Sequence, residues 1–412
     1  MTAAPDRPAD PGVSTEPRLP LAGVRVLDVA TLGAGPWMAT RLADFGADVL
    51  KIEQPAAGDP MRTLGTMADG VSLWWKVDQR NKTSMSLNLR EPEGQRILKE
   101  LVADADVLVE NFRPGTLERW NLGWEELSQV NPRLVMLRVT GWGQDGPYKD
   151  QAGFGTLAEA FSGWAHLNGF PDQPPLLPPM GLGDSVASVL GAFAVMVALY
   201  DRDARGGSGQ FIDLAIWESL FSLIGQQVAI FDRTGVVPQR EGNAISLIAP
   251  RGAFQTSDGR WLALAAATPA IFARVAAAIE QPGLVDDPRF HDNTARSANR
   301  HELEAIIQGW IGARTQDEVL AAFARADAAI APVMDAEQLT RDPHVAARDA
   351  IVEIDDPDIG PTRLAGVFPK LSATPGRIRH LGPLPGSHTD ATLAGLGYSP
   401  EQVAELRAKG VV

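Results

Sequence analysis

The chain has 412 residues, 45% of them apolar and 21% charged, which is long enough for two globular cores. Its net charge of −14 argues against nucleic acid or an anionic membrane surface as a partner, because either requires a basic face. It contains no cysteine, so disulfides, thiolate metal sites and thiol nucleophiles are excluded and covalent chemistry has to use oxygen or an amine.

Residues 1–20 are rich in Pro, Ala and Asp without an apolar run, and are expected to form a disordered tail and not a signal peptide, which points to a cytoplasmic protein. The apolar segment 21–30, containing Asp28, predicts a strand. It is followed by a small-residue turn, Gly33-Ala34-Gly35-Pro36, and an amphipathic stretch at 37–45, with Pro36 suited to the first turn of a helix. Residues 46–53 predict a second strand ending in Glu53. The alternation continues with a helix at 93–102, a strand at 106–110, a helix at 124–130 and a strand at 134–139. Such βαβ repetition predicts an α/β fold with an open, mostly parallel, Rossmann-like sheet and ligands at the carboxyl ends of its strands.

Between 141 and 179 the composition turns to Gly, Pro and aromatics, which predicts an irregular segment covering a site, with Trp142, Tyr148, Phe154 and Trp164 as a partly aromatic acyl pocket. The apolar run 186–200 is shorter than the roughly 18 residues of a membrane span and reads as a buried helix beginning after Asp184. A turn at 206–209 leads into a further strand, and 217–225 into another helix. Residues 226–350 then carry a hairpin with an Asp258-Gly259 turn and two alanine-rich helices near 269–280 and 317–326, a smaller α+β domain. From 351 to 412 the chain is expected to rejoin the large domain of residues 21–225 and to end in a helix started by Ser399-Pro400-Glu401.

Asp184 closes the segment Pro178-Pro179-Met180-Gly181-Leu182-Gly183 ahead of that apolar helix. A carboxylate there is either an ordinary N-cap or a nucleophile kept ionised by the helix dipole and the free N–H groups of the first turn. Gly33-Ala34-Gly35, with Glu53 as a ribose ligand, invites a dinucleotide reading, but the third glycine of that pattern would fall at Met38. The groups Arg80-Asn81-Lys82-Thr83 and Asn111-Phe112-Arg113-Pro114-Gly115, with Arg119, are either a phosphate and adenine site or solvated loops. The six histidines have no metal-ligand spacing, so no metal site is expected, and no G-x-S-x-G elbow supports a serine hydrolase.

Taken in order, the segments 21–28, Ala34-Gly35-Pro36, 46–53, Gly58-Asp59, Asn81-Lys82, 106–115, Leu122-Gly123, Asn131-Pro132-Arg133, 141–148 and Gly183-Asp184 resemble the class III CoA-transferases. The resemblance covers nearly all of 21–225 and is fainter, at 256–261, in the smaller domain. It implies that Asp184 is a carboxylate nucleophile attacking an acyl-CoA thioester, giving first a mixed anhydride and then an aspartyl-CoA thioester that a carboxylic acid resolves. Coenzyme A or acyl-CoA then enters as substrate, with no permanently bound cofactor. It is implied to lie against Leu32, Gly33 and Ala34, with Lys82 and Arg119 near its phosphates and Asn111 and Phe112 near the nucleotide. The family also implies an interlocked homodimer. Gln54 stands where several relatives carry a basic residue, with Arg62 as its candidate replacement, and no glycine-rich covering loop is recognisable at 242–249. The α-methylacyl-CoA racemases share the fold but need a second acid–base group. The chain has Phe154 where they have histidine, which favours a transferase over a racemase or epimerase, with a non-catalytic CoA-binding protein as the other alternative.

Overall fold

The computed structural model describes residues 18–412. Of the expected tail, residues 1–17 lie outside the described residues; Leu19 is buried, and a Cβ added to Gly46 would fall 2.4 Å from its Cβ. The described chain forms two compact units, one reaching to residue 162 and including 179–223 and 347–412, the other made of 163–178 and 224–346. Residues 163–178, expected with the larger domain, therefore group with the smaller unit.

The larger unit is built on six parallel strands, β1 (Arg25–Asp28), β2 (Asp48–Glu53), β3 (Lys82–Ser86), β4 (Val107–Glu110), β5 (Val135–Thr140) and β6 (Gln210–Ala215). Their order across the sheet is β3-β2-β1-β4-β5-β6, so the chain runs outward from β1 in one direction and then in the other. The crevice where that direction reverses, between the carboxyl ends of β1 and β4, is where open α/β sheets bind ligands.

Side chains alternate between the two faces of this sheet. Val26, Val49, Val107, Val109, Val135 and Leu137 point to one core, shared with Met38, Ala39 and Leu42 of α1 (Ala34–Asp44). Leu27, Ile52, Met85, Leu108 and Met136 point to the other, with Ile97 and Leu98 of α3 (Pro92–Val102) and Leu127 of α4 (Trp124–Val130). Between β2 and β3 lies the short helix α2 (Leu73–Asp78), which the sequence reading did not find. β1, β2, β4 and β5 are largely buried on both faces and read as near-continuous apolar runs, which is why they were legible, whereas the polar β3 was not read as a strand.

Past β5 the chain forms α5 (Gly155–Phe161), then α6 (Leu182–Ala204), and after β6 α7 (Ile216–Ile224). Helix α6 has 23 residues, longer than the apolar run that announced it, and by length and composition is apolar enough to cross a bilayer. One face of it is packed as a core helix through Ala187, Val195 and Leu199. At Gly191 the approach is close, since a Cβ there would lie 3.2 Å from Leu137, Leu214 and Met38.

The smaller unit carries the antiparallel sheet β9-β8-β7, made of β7 (Arg251–Gln255), β8 (Trp261–Ala265) and β9 (Ala331–Pro332). Helices α8 (Pro269–Ala278), α9 (Arg300–Ile311) and α10 (Gln316–Arg325) complete its core around Phe272, Leu303, Ile307 and Phe323. The C-terminal segment returns to the larger unit as the hairpin β10 (Ile351–Asp356) and β11 (Gly360–Ala365), followed by α11 (Thr389–Gly395) and α12 (Pro400–Ala408). Lys76 of α2, buried, ties that hairpin down through Asp356 at 2.8 Å and Asp358 at 2.5 Å. Ser399 starts α12 with a capping box, its N3 partner being Gln402.

Candidate active site

Helix α6 begins at Leu182 with Gly181 as its N-cap, so Asp184 is the third residue inside the helix and not the cap expected ahead of it. The first-turn N–H of Gly183 is taken instead by Glu159, a buried residue of α5, at 3.0 Å. The carboxylate of Asp184 turns toward the start of a different helix, α1, where it lies against Gly33 and the Ala34 N–H favours its ionised form. It fills the space that side chains would take at two glycines: a Cβ on Gly33 would lie 2.7 Å from its Oδ2, and one on Gly155 2.8 Å. A third, Gly181, would place a Cβ 3.5 Å from the same oxygen and 3.4 Å from the ring of Trp37.

Burial raises the Asp184 carboxyl from its ordinary 3.8 to about 6; the charge of Glu159 adds to the shift and the Ala34 N–H opposes it. The expectation that the helix dipole and the free first-turn N–H groups of its own helix hold this group ionised is corrected accordingly. Near neutral pH it is still mostly ionised, yet more basic than a solvated aspartate, which suits a nucleophile.

Asp184 meets its partners through the turn that follows β1, at the switch point of the sheet. Val29 N–H continues the ladder to the Val109 carbonyl at 3.0 Å. The side-chain amide of Asn111, after β4, then clamps Thr31 from both sides, accepting its N–H at 2.8 Å and donating to its carbonyl at 2.7 Å. Leu32 follows in the left-handed region, φ 63°, with its N–H on the two oxygens of Asp59 at 3.2 and 3.3 Å. Of the residues expected around CoA, Leu32, Gly33 and Ala34 are thus brought to Asp184. Asn111 joins them by its backbone clamp, not by a free amide.

Beside this turn opens a cleft lined among others by Gln54, Leu89, Arg90, Phe112 and Trp120. Phe112 meets Trp120 edge to face at 5.3 Å. Arg90 and Arg119 are exposed and make no ion pair among the described residues; the only side-chain bond of Arg119 there is to Thr116 at 3.0 Å. Arg90 was not singled out in the sequence, where it reads as one more charge before a helix.

Two expected phosphate ligands are corrected. Lys82 is fully buried, its ammonium shared among Asp28 at 2.8 Å, the Pro36 carbonyl at 2.7 Å and Gln79 at 2.7 Å, so no N–H is left for a phosphate. Burial pulls it down to about 8 against the pull of Asp28. Arg62, the candidate replacement beside Gln54, grips Glu53 through two bonds of 2.7 Å and lies 3.5 Å over the ring of Trp75. Arg80 is likewise spent on Asp44, at 3.0 and 2.6 Å. An X-Asn-Lys run at the start of a strand looks basic in sequence, but both cations are turned inward to acids from neighbouring elements.

Of the four aromatics expected to line an acyl pocket, Trp142 and Tyr148 pack together. Trp142 packs edge to face on Phe161 at 4.9 Å and on Tyr148 at 5.9 Å, and Phe161 meets Trp217 of α7 at 5.3 Å. Phe154 stands out from it, 57% exposed, immediately before Gly155.

The family model for CoA-transferase family III matches residues 21–389. The chain is 42% identical, over 97% of its length and 100% of the relative's, to the succinyl-CoA–D-citramalate CoA-transferase of Chloroflexus aurantiacus. It is 45% identical to the beta subunit of the succinyl-CoA–L-malate CoA-transferase of the same organism, covering 97% of this chain and 99% of that one. A crystal structure of a CaiB/BaiF family protein from Brucella suis superposes with a TM-score of 0.81 at 31% identity, covering 92% of this chain and all of that one. The chain belongs to CoA-transferase family III and is a CoA-transferase.

Proposed function

We propose that this chain moves CoA from a dicarboxylic acyl-CoA such as succinyl-CoA to a second dicarboxylic acid of similar length, with Asp184 as the covalent nucleophile. The observation that carries the nucleophile is the Asp184 carboxylate, seated on the Ala34 N–H among glycines, with its basicity raised. The substrate class rests on the two relatives at 42% and 45% identity, both named for succinyl-CoA and a hydroxy dicarboxylic acid.

In the first step an Asp184 oxygen adds to the thioester carbonyl of the donor, the carbon–sulfur bond breaks, and CoA leaves as thiolate, giving an aspartyl–acyl anhydride. The thiolate then adds to the aspartyl carbonyl of that anhydride and expels the donor acid as carboxylate, leaving Asp184 as its CoA thioester. The acceptor carboxylate adds to this thioester, thiolate leaves again, and its return to the acceptor carbonyl frees acyl-CoA and Asp184. Each step exchanges one anionic leaving group for one anionic nucleophile, so no proton donor, cysteine or metal is needed. When the aspartyl carbonyl is attacked, the Ala34 N–H is in place to hold the oxygen that becomes charged. Arg90, with Phe112 and Trp120, lines the cleft proposed for the phosphates and adenine of CoA, and the exposed Arg119, next in the chain to Trp120, offers a second cation.

Asp184→Asn keeps the shape and removes the nucleophile. Transfer measured by exchange of CoA between two acids should fall by at least about a thousandfold, while the variant still binds CoA. Retention of a tenth of the activity or more would sink the assignment.

The assembly we propose is a homodimer. Helix α6 leaves Val189, Phe193, Val197 and Tyr200 on one stripe, 52–67% exposed, an apolar face of the kind that marks an interaction surface. A light-scattering mass of one chain at micromolar concentration would count against it.

A further inference from the structure

Gly58-Asp59 stands in the sequence as a motif that the transfer reaction does not use. Asp59 is fully buried with Lys51, whose ammonium lies 3.0 Å from its Oδ2; the same ammonium bonds the Ala30 carbonyl. Its Oδ1 also accepts the Met61 N–H at 2.9 Å, and its own N–H is held by Glu53 at 3.0 Å. From this group the Leu32 N–H, on both Asp59 oxygens, leads toward the site, and the next two residues are the ones against Asp184.

We propose that Asp59 is a positioning residue for the transfer reaction: by holding the Leu32 amide it fixes the left-handed turn that presents the Ala34 N–H to Asp184. A leucine disfavours φ 63°, and its side chain, 39% exposed, gains too little burial to compensate. The conformation is imposed from outside. Asn111 holds Thr31 on one side and Asp59 holds Leu32 on the other, so the path from Thr31 to Ala34 has no free hinge between two anchors. Release of the second anchor lets Leu32 return to negative φ, which swings Gly33 and Ala34 away from the carboxylate that occupies their face. This rests on Asp184 being the nucleophile.

The test is Asp59→Asn, which keeps the volume but cannot offer a charged oxygen to Lys51 and to the Leu32 N–H together. The kcat for transfer should fall about 10- to 100-fold with KM for acyl-CoA changed less than about threefold. The acid limb of the rate should also move to higher pH by about half a unit, because the lost Ala34 bond favoured the ionised form; the charged group facing Asp184, Glu159, is untouched. Adding Leu32→Gly should restore several-fold of the rate, since glycine adopts positive φ freely. A folded Asp59→Asn with kcat and acid limb in place overturns the proposal. Should that variant not fold, Leu32→Pro removes the N–H and the positive φ and leaves the Asp59–Lys51 pair intact, and an unmoved limb there overturns it equally. Failure of the nucleophile itself shows separately, as transfer persisting in Asp184→Asn.

Discussion

Asp59 and Asp184 are two carboxylates bound to the same short turn, one to the N–H of Leu32 and the other to that of Ala34, yet their surroundings make them opposites. Burial pushes both toward the neutral form. For Asp59 that push is overcome by Lys51 and by the N–H groups of Met61 and Leu32, so its pKa ends below the ordinary value. Among the described residues Asp184 faces no cation, one N–H, and Glu159 as its charged neighbour, so its pKa ends at about 6. A paired carboxylate is a fixture, whereas an unpaired basic one in a glycine-walled seat is reactive. The difference lies in what each acid faces, and it is open to direct attack.

After removal of the Asp184 carboxylate itself, the largest effect should come from closing the seat. Gly155→Ala places a methyl group 2.8 Å from Asp184 Oδ2, a distance at which the carboxylate has to move. Displacement by about 1 Å costs on the order of a hundredfold in rate, so kcat should fall by roughly that factor while CoA still protects the protein against heat. An alanine variant with wild-type kcat would show that the carboxylate is not held where the glycines put it.

Lys82→Met attacks the paired side. It leaves Asp28 facing a thioether and strands the Pro36 carbonyl and Gln79, so unfolding in urea should be easier by about 3–5 kcal/mol. The CoA affinity of the folded fraction should stay as it was, because the ammonium never faced the cleft. Loss of CoA affinity without loss of stability would return Lys82 to the phosphate role that the family resemblance gave it.

Why that role was misread, while so much else was legible, follows from what a sequence encodes. The strands β1, β2, β4 and β5 announce themselves by apolar runs, and α4 by its pattern, because burial on both faces of a sheet leaves no choice of residue. Asp184 was legible as a special position because it begins a long apolar helix after a run of Pro and Gly. Its true contacts were not, since Gly33, Gly155 and Ala34 lie far from it in the chain and offer either no side chain or only a backbone N–H to recognise. Lys82 and Arg62 fail for the converse reason: a cation in sequence carries no mark of which way it points, and here Asp28, on β1 two strands away, and Glu53, at the end of β2, turn both inward. Arg90 was passed over because nothing in its neighbours distinguishes it from a solvated charge.

The finest adjustment concerns Glu159, which holds the Gly183 N–H and at the same time raises the pKa of Asp184. Glu159→Gln can keep the hydrogen bond through its carbonyl oxygen while removing the charge, so α6 should start where it does now. As the proposed nucleophile Asp184 acts in its ionised form, so the acid limb of transfer should lie near pH 6 in the wild type. With the like charge gone the ionised form is easier to reach, so the limb should shift to lower pH by about half a unit. The plateau should fall slightly, a less basic carboxylate being a poorer nucleophile. A limb that moves upward, or stays while the plateau collapses, would mean that Glu159 acts through the position of α6 and not through its charge, and the contrast between the two aspartates would then rest on Lys51 alone.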